Sequence, residues 1–248
     1  ETCLSISASK TTLITVDLCV NTDGSNGCYS SIQAAMNAAA NGDVIGVHEG
    51  AYPQGSAQLV INKEVTLVAY PGATSMPKIT TNYVGWSNCA VQIAANNVVF
   101  DGFEVDHSAS YNPQTSGGVY LVGDYGGARN GWTVRNCSIH HARNGIRPVG
   151  NNVTIEYNDI YQTNSDCINA EYGACYGLKV KHNWLHSHNS NAGGKPAGLT
   201  YNCSSTAGAD VEVSYNYVWA CRAFIDFQSF GGLAPANTIV VKHNTVDW

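Results

Sequence analysis

Val153-Thr-Ile-Glu-Tyr-Asn-Asp-Ile160 is one copy of an eight-residue pattern that recurs along the chain. Its order is apolar, polar, apolar, two polar or aromatic residues, asparagine, any residue and apolar. Three further copies keep the asparagine, and two looser ones replace it with cysteine or phenylalanine; they occupy residues 178–185, 211–218, 239–246, 132–139 and 98–105. Successive copies are about 20 to 35 residues apart, which is the interval expected of a solenoid.

The apolar spacing within each copy indicates which kind of solenoid this is. Alternation predicts two short strands separated by a bend, whereas a helix would need apolar residues at i, i+3 and i+4, and no copy supplies that spacing. Parallel coils stacked about 4.8 Å apart would place Asn158, Asn183, Asn216 and Asn244 above one another. Their side-chain amides can then hydrogen-bond along the stack.

These short repeats with an asparagine ladder resemble the right-handed parallel β-helix of pectate-lyase type, over about residues 30 to 248. The resemblance implies an all-β fold, a right-handed parallel β-helix (solenoid) with an N-terminal capping α-helix. That superfamily contains polysaccharide lyases, glycosidases, epimerases, phage tailspikes and non-catalytic surface proteins, so the fold alone does not select an activity.

Residues 31–52 resemble the cap and first coil of many secreted β-helix proteins. Ser30-Ser31 begins a predicted helix, apolar residues at 32, 35, 36 and 39 share one face, and Asn41-Gly42 ends it. Such a helix would cover the open end of the coil stack.

We expect one domain over residues 1–248, with the cap and first coil in 1–50. Residues 245–248 stop inside a repeat, so either the native protein continues or another chain or domain stacks on this end.

Composition excludes two classes of partner. Charged residues are 12% of the chain and the net charge is −6 with no basic run, which argues against nucleic-acid binding. No apolar run reaches the length of a membrane span. The chain opens at Glu1 without a signal peptide, which we interpret as a processed, mature start.

Nine cysteines favour an oxidising, extracellular compartment, with reduced cysteines in a cytosolic protein as the alternative. Cys19 and Cys28 bracket a polar loop that a disulfide would close, and so do Cys167 and Cys175. Cys203 and Cys221 lie in successive coils and are predicted to form a disulfide. Cys3 and Cys89 are the remaining pair. Cys137, in the ladder column, is expected to be a buried thiol. Three sequons predict N-glycans if the source is eukaryotic, at Asn136, Asn152 and Asn202.

A short strand follows each repeat, and these strands can be aligned on residues 118–120, 145–147, 167–169, 198–200 and 224–226. If the central apolar residue of each points inward, the next residue points outward on one sheet. That outward column is Tyr120, Arg147, Asn169, Thr200 and Asp226, with Glu171 two residues beyond Asn169. The turns beside it carry further ionisable groups, in a chain that has few. The pattern predicts a saccharide-binding groove on this sheet.

Two chemistries fit the groove. A lyase acting on acidic polysaccharide needs a cation beside the uronate and a base for the C5 proton; Arg147 or Arg143 is the candidate cation, and His141, His188 or Lys195 the candidate base. A hydrolase needs two carboxylates, and Asp166, Glu171 and Asp226 are available. Residues 164–168 are similar to the polygalacturonase segment with paired aspartates, although only Asp166 of that pair is present here.

The sequence therefore predicts a secreted β-helix protein that engages polysaccharide and acts as a lyase or a hydrolase on acidic glycans. The alternative is a non-catalytic extracellular structural or adhesive glycoprotein of a cell surface, wall or filament. The sequence indicates no cofactor and no metal site, with calcium left as an open alternative. The partners expected are a polysaccharide or glycan and, at the C-terminal end, another chain or domain.

Overall fold

The computed structural model describes residues 14–83, 89–108, 120–125, 127, 129–171, 173, 175–187, 197–202, 210–227 and 238–247. These residues form three sheets of nine, eight and seven strands, in which every strand pair is parallel. The chain visits the three sheets in turn on each coil. The right-handed parallel β-helix predicted from the sequence is confirmed.

The nine-stranded sheet is built from the first strand of each repeat and its equivalents: β1 (Leu18–Val20), β2 (Val44–Val47), β5 (Thr66–Ala69), β8 (Val99–Asp101), β11 (Thr133–Arg135), β14 (Thr154–Glu156), β17 (Lys179–Lys181), β20 (Val211–Ser214) and β23 (Ile239–Lys242). The eight-stranded sheet is built from the second strand: β3 (Gly50–Gly55), β6 (Pro77–Thr81), β9 (Glu104–Asp106), β12 (Ser138–Ala142), β15 (Asp159–Thr163), β18 (Trp184–His186), β21 (Tyr217–Trp219) and β24 (Thr245–Asp247). The seven-stranded sheet follows: β4 (Leu59–Ile61), β7 (Cys89–Ile93), β10 (Tyr120–Gly123), β13 (Asn144–Arg147), β16 (Ile168–Glu171), β19 (Ala197–Asn202) and β22 (Ala223–Phe227).

A single α-helix, α1 (Ile32–Ala38), covers the N-terminal end of the described coils, as predicted. Ser31 is its N-cap, and the Ser31 hydroxyl accepts a hydrogen bond from the Ala34 amide at 3.2 Å, which satisfies one of the helix's free N–H groups. Ile32 and Met36 are fully buried against the first coils. No helix among the described residues is long and apolar enough to cross a membrane. The single-domain organisation stays a prediction.

The asparagine ladder lies at the bend between the nine- and eight-stranded sheets. The Asn158 Nδ2 donates to Asn183 Oδ1 at 3.0 Å, Asn183 Nδ2 donates to Asn216 Oδ1 at 3.0 Å, and Asn216 Nδ2 donates to Asn244 Oδ1 at 2.9 Å. Each acceptor oxygen also takes the backbone N–H of the preceding ladder residue, and Cys137 N–H completes the row on Asn158. The ladder therefore satisfies bend N–H groups that no strand partner could reach.

The residue before each ladder asparagine has a left-handed backbone, which Tyr and His rarely adopt. Tyr157, His182, Tyr215 and His243 have φ between 54° and 59°. Their rings stack face to face at centroid distances of 4.8, 4.9 and 4.9 Å, close to the spacing of paired strands. Stacking between coils thus offsets part of the backbone strain.

The seven-stranded sheet corrects one part of the predicted alignment. Ile146, Ile168, Leu199 and Ile225 do form one inward column. Val122 joins that column, so Gly123 and not Tyr120 lies beside Arg147, and Tyr120 pairs with Asn144. A Cβ at position 123 would lie 2.2 Å from the Arg147 carbonyl oxygen. Only glycine fits this close approach, and the sequence pattern did not distinguish Gly123 from Gly118.

The cysteines give two confirmed predictions and three corrections. Cys19 and Cys28 form a disulfide, as predicted. Cys175 is disulfide-bonded but not to Cys167, because Cys167 and Cys221 both keep thiols that hydrogen-bond to each other in the core. The predicted Cys167–Cys175 and Cys203–Cys221 pairs are therefore wrong.

Two further cysteines are buried thiols. Cys89 is one of them, so the predicted pair with Cys3 is also wrong. Cys137 is the buried thiol expected in the ladder column, and burial raises its pKa to about 12. A thiol with so high a pKa carries almost no thiolate at neutral pH and is chemically inert.

We predict that Asn183→Ala lowers the free energy of unfolding by about 1–3 kcal/mol, because the Asn158 N–H and amide lose a buried acceptor. Asn244→Ala, at a partly exposed ladder position, is the control and should cost less, since water can replace the lost contacts. Urea denaturation measures both. Equal midpoints for the parent and Asn183→Ala would show that the ladder does not stabilise the coil stack.

Candidate functional site

The polar side chains predicted to share one sheet face are brought together on β13, β16, β19 and β22. Asn169 pairs with Thr200 and Thr200 with Asp226, while Glu171 pairs with Asn202. Arg147 follows Ile146, which pairs with Ile168. We call this set, with the two tyrosines described next, the polar cluster: Tyr120, Tyr125, Arg147, Asp166, Asn169, Glu171, Thr200, Asn202 and Asp226.

Arg147 differs most from expectation, because it is buried. Only 2% of Arg147 is exposed, and its guanidinium carbon lies 4.6 Å from the centre of the Tyr120 ring and 4.4 Å from that of Tyr125. Its Nη2 donates to the Glu171 carbonyl oxygen at 3.0 Å. The two rings replace part of the lost hydration by cation–π attraction. The sequence pattern placed Arg147 in an outward column of an open groove, whereas the structure buries it between the two rings.

Asp166, two residues before β16, forms a linked group with Asn169 and Glu171 of that strand. The Asn169 Nδ2 donates to Asp166 Oδ2 at 2.6 Å, and the Ala197 amide donates to Asp166 Oδ1 at 3.1 Å. Burial raises the pKa of Glu171 above its ordinary value, the Asp166 charge raises it further, and Asn169 hydrogen bonding and the Arg147 charge oppose that rise. Glu171 therefore keeps its proton to higher pH than an exposed glutamic acid.

Buried polar atoms without a hydrogen-bond partner concentrate in this cluster. Among the described residues they include Arg147 Nε and Nη1, Asn169 Oδ1 and Asn202 Oδ1. The Asn202 Nδ2 faces the Glu171 carboxyl and lowers its pKa. Nearly all buried polar atoms in folded proteins are paired with protein, water or ligand. Three neighbouring strands thus present donors and acceptors that fit a polar ligand or ordered water.

Burial also decides between the predicted glycan acceptors. Only 3% of Asn202 is exposed, so a glycan has no room there in the folded protein and this prediction is wrong. Asn136 and Asn152 are exposed at bends, where a bulky group fits. Glycosylation at these two positions stays a prediction.

The remaining predicted site residues lie on other elements, and only Arg143 of those described acts on the cluster. His141 lies on β12 in the eight-stranded sheet, where it contacts Asp106 and His140. Arg143 connects β12 to β13, and its charge acts on Tyr120, whose pKa is raised by burial and lowered in part by Arg147 and Arg143. His188 and Lys195 lie outside the described residues.

Sequence analysis missed Tyr125, the second ring on Arg147. The turn that carries Tyr125 is held by Asp124, which accepts from Gln92 Nε2 at 3.1 Å and from the Arg129 amide at 2.8 Å. In the sequence, only Asp124 between Gly123 and Tyr125 indicated this turn. That pattern does not by itself specify where the Tyr125 ring points.

Comparison with solved structures supports the fold. The pectin methylesterase from Aspergillus niger, in its penultimately deglycosylated form, is similar with a TM-score of 0.53 at 16% identity, over 96% of this chain and 88% of that one. Its deglycosylated form gives a TM-score of 0.49 at 16% identity over 96% and 88% of the two chains. Pectate lyase Pel9A gives 0.45 at 14% identity over 95% and 79%.

Neither a protein-family model nor a curated protein sequence matches the chain. Structural likeness at 16% identity shows the fold alone, because one fold hosts many unrelated activities. The chain therefore has the fold of the right-handed parallel β-helix superfamily, and any activity must be argued from its own residues.

We predict that two substitutions of Arg147 differ in their effect on the free energy of unfolding. Arg147→Ala should lower the free energy of unfolding by about 2–4 kcal/mol, because it leaves a cavity between two tyrosine rings. Arg147→Met should keep or raise it, because the packing stays while two unpaired buried N–H groups and a buried charge are removed. Denaturant midpoints test this. An equal loss in both variants would show that the guanidinium itself stabilises the fold.

The raised pKa of Glu171 predicts a pH dependence. The folded protein binds this proton more tightly than the unfolded chain, so its contribution is fully present below the ordinary pKa of about 4.3 and is lost as pH rises through the folded-state value. The free energy of unfolding of the parent, relative to that of Glu171→Gln, should fall as pH rises from about 4 to about 8. A difference that does not change with pH would contradict this.

Proposed function

We propose that this protein is secreted, binds an acidic polysaccharide at the polar cluster of the seven-stranded sheet, and hydrolyses it. The observation that carries the proposal is the set of unpaired buried donors and acceptors on Arg147, Asn169 and Asn202. Alternating donors and acceptors suit sugar hydroxyls, and a guanidinium with free N–H groups suits a uronate carboxylate. The Cys19–Cys28 disulfide and the low content of charged residues support an extracellular location.

The arrangement of the carboxylates favours hydrolysis. Glu171 and Asp226 are both partly exposed and lie on β16 and β22, with β19 between them. Asp226 lies in register with Asn169, two residues before Glu171, so the two backbones are about 9.6 Å apart across the sheet and about 6.6 Å apart along it, roughly 12 Å in all. Inverting glycosidases hold a water between carboxyl groups about 6.5–9.5 Å apart, so the two side chains must turn towards each other to act together. Glu171, with its raised pKa, is the general acid, and Asp226 is the base that activates water.

Asp166 acts as a positioning residue in this proposal. It is 4% exposed and is held by the Asn169 amide and the Ala197 N–H. Its charge helps to keep Glu171 protonated, and its bond to Asn169 orients that amide. Tyr120 and Thr200 of the cluster, with Arg143 beside it, would contact the polysaccharide.

A lyase mechanism has less support from the described residues. Arg147 would serve as the cation, but the base would have to be His141, which contacts Asp106 and His140 on the eight-stranded sheet, or one of His188 and Lys195, which lie outside the described residues. A base must reach the proton that it abstracts. Hydrolysis needs only carboxylates that the polar cluster already holds.

The second candidate function is a non-catalytic extracellular structural or adhesive glycoprotein. The difference in exposure between two surfaces favours it. Most of the polar cluster is nearly inaccessible, namely Arg147, Asp166, Asn169, Thr200 and Asn202. The outer face of the eight-stranded sheet instead exposes Trp184, Tyr217 and Trp219. Exposed aromatic rings present amphipathic surface of the kind that sugars stack on. Glycan would then bind the rings and would not be cleaved.

We predict that the parent releases reducing ends from at least one of alginate, pectate and glucuronan. Glu171→Gln and Asp226→Asn should each lower kcat/KM by about 100-fold or more, because each removes a proton-transfer group. Glu156→Gln is the matched control, since Glu156 pairs with Lys181 on the nine-stranded sheet, and it should leave kcat/KM unchanged.

Other outcomes decide between the alternatives. Ultraviolet-absorbing unsaturated products that persist in Glu171→Gln would establish a lyase. A parent that is inactive on these polymers and on neutral glycans, but whose glycan binding is lost in Trp219→Ala, would establish the adhesive function. Either result refutes the hydrolase proposal.

A further inference from the structure

Three potential metal ligands meet on β9 and β12, two neighbouring interior strands of the eight-stranded sheet, away from the polar cluster. His140 Nδ1 lies 2.6 Å from His141 Nδ1. Asp106 Oδ1 lies 3.4 Å from His140 Nδ1 and 3.3 Å from His141 Nδ1. These are the residues that form such a group among those described, and neither the proposed hydrolysis nor the repeat pattern requires them.

The fold brings the three together from two coils. Asp106 ends β9 and pairs with His140 of β12, so these two side chains project from the same face of the sheet. Consecutive residues of a strand normally point to opposite faces. His141 departs from this alternation because its φ is 60°, and its ring therefore turns back towards His140. The rings lie 4.8 Å apart at an interplanar angle of 72°.

The two distances from Asp106 Oδ1, 3.4 and 3.3 Å, fit the ligand–ligand edge of about 3.4 Å in a tetrahedral shell with bonds of about 2.1 Å. The 2.6 Å between the two Nδ1 atoms is shorter, so the imidazoles must separate by about 0.8 Å when an ion binds. A point equidistant from all three atoms lies about 1.8 Å from each, so an ion at about 2.1 Å would sit about 1 Å above their plane. Two imidazole nitrogens and one carboxylate oxygen, with a further position open, are a donor set typical of zinc and related ions. The His141 side chain is 27% exposed, which gives an ion and a fourth ligand access.

The surrounding contacts orient the ligands. His140 Nε2 lies 3.2 Å from Glu104 Oε1, the carboxylate contact that commonly fixes a metal-binding imidazole with its other nitrogen free to coordinate. Asp106 Oδ1 accepts from the Ser108 amide at 2.8 Å, and Oδ2 takes the Ser108 hydroxyl at 2.9 Å and Lys78 Nζ at 2.8 Å. Lys78 also bonds Glu104 at 2.8 Å, so two carboxylates face one lysine and the site keeps net negative charge.

Neighbouring His107 is not a ligand. Its Nε2 is engaged with the Tyr83 carbonyl oxygen at 2.9 Å, and its ring is buried. Tyr161 stacks on His140 from the next coil at 4.7 Å and closes one side of the ring without blocking Nδ1. The three donor atoms, the contacts that orient them and an opening to solvent therefore occur at the same place.

We propose that Asp106, His140 and His141 form a binding site for one divalent transition metal ion of the zinc class, with a fourth coordination position open to solvent. The site is independent of the proposed hydrolysis. The competing explanation is a hydrogen bond between the two imidazoles that needs no ion.

Zinc binding by the full chain tests the proposal. The protein is freed of metal with a chelator and titrated with Zn²⁺ against a chromophoric competitor, and Co²⁺ provides a visible absorption band that reports coordination geometry. We expect one equivalent bound, with His141→Asn weakening binding by about 100-fold or more and removing the Co²⁺ band. Asparagine is chosen because it tolerates the left-handed backbone.

His182→Asn is the matched control, because His182 has the same backbone conformation, with φ 55°, in the exposed column of stacked rings. It should bind Zn²⁺ as the parent does. Asp106→Asn should also weaken binding, with near-ultraviolet circular dichroism confirming that both variants fold. A parent that binds no stoichiometric Zn²⁺, or a folded His141→Asn that binds as tightly as the parent, would overturn the proposal.

Discussion

The inter-coil register is the constraint on which the rest of this molecule depends. Parallel pairing sets neighbouring coils about 4.8 Å apart, and the buried row from Asn158 to Asn244 joins each bend to the next through both side-chain and backbone groups. Because the row lies inside the stack, a slip of one residue would leave several buried amides unpaired at once. The ladder therefore favours a single register, and every outward column follows from it.

Two kinds of outward column result from that register, and they differ in energetics. Stacked rings, such as Tyr157 on His182, gain attraction between coils while remaining exposed, so they stabilise the stack at little desolvation cost. The polar cluster has the opposite balance. Burying Arg147 and Asn169 with unpaired atoms is unfavourable, and a fold under selection for stability alone would replace them with apolar residues. That cost is the physical argument for a ligand on the seven-stranded sheet.

The Asp106, His140 and His141 group and the polar cluster lie on different sheets, yet Arg143 links the strands that carry them. Both arise where a local rule is broken: His141 departs from strand geometry with its φ of 60°, and Arg147 lies buried between Tyr120 and Tyr125. Regular columns build the scaffold, while such departures concentrate reactive groups.

The sequence by itself determined the β-helix and the asparagine ladder, because the same eight-residue pattern recurs once per coil. It also determined the capping helix that begins at Ser30-Ser31 and the Cys19–Cys28 disulfide, because each depends on spacing within one short segment. The inward column of Ile146, Ile168, Leu199 and Ile225 was predictable for the same reason. Only the tertiary structure decided the register of Tyr120, the burial of Arg147, the reduced state of Cys167 and Cys221, and the meeting of Asp106 with His141. These depend on which residues of different coils come together across irregular connections, and on how closely backbones approach, as at Gly123.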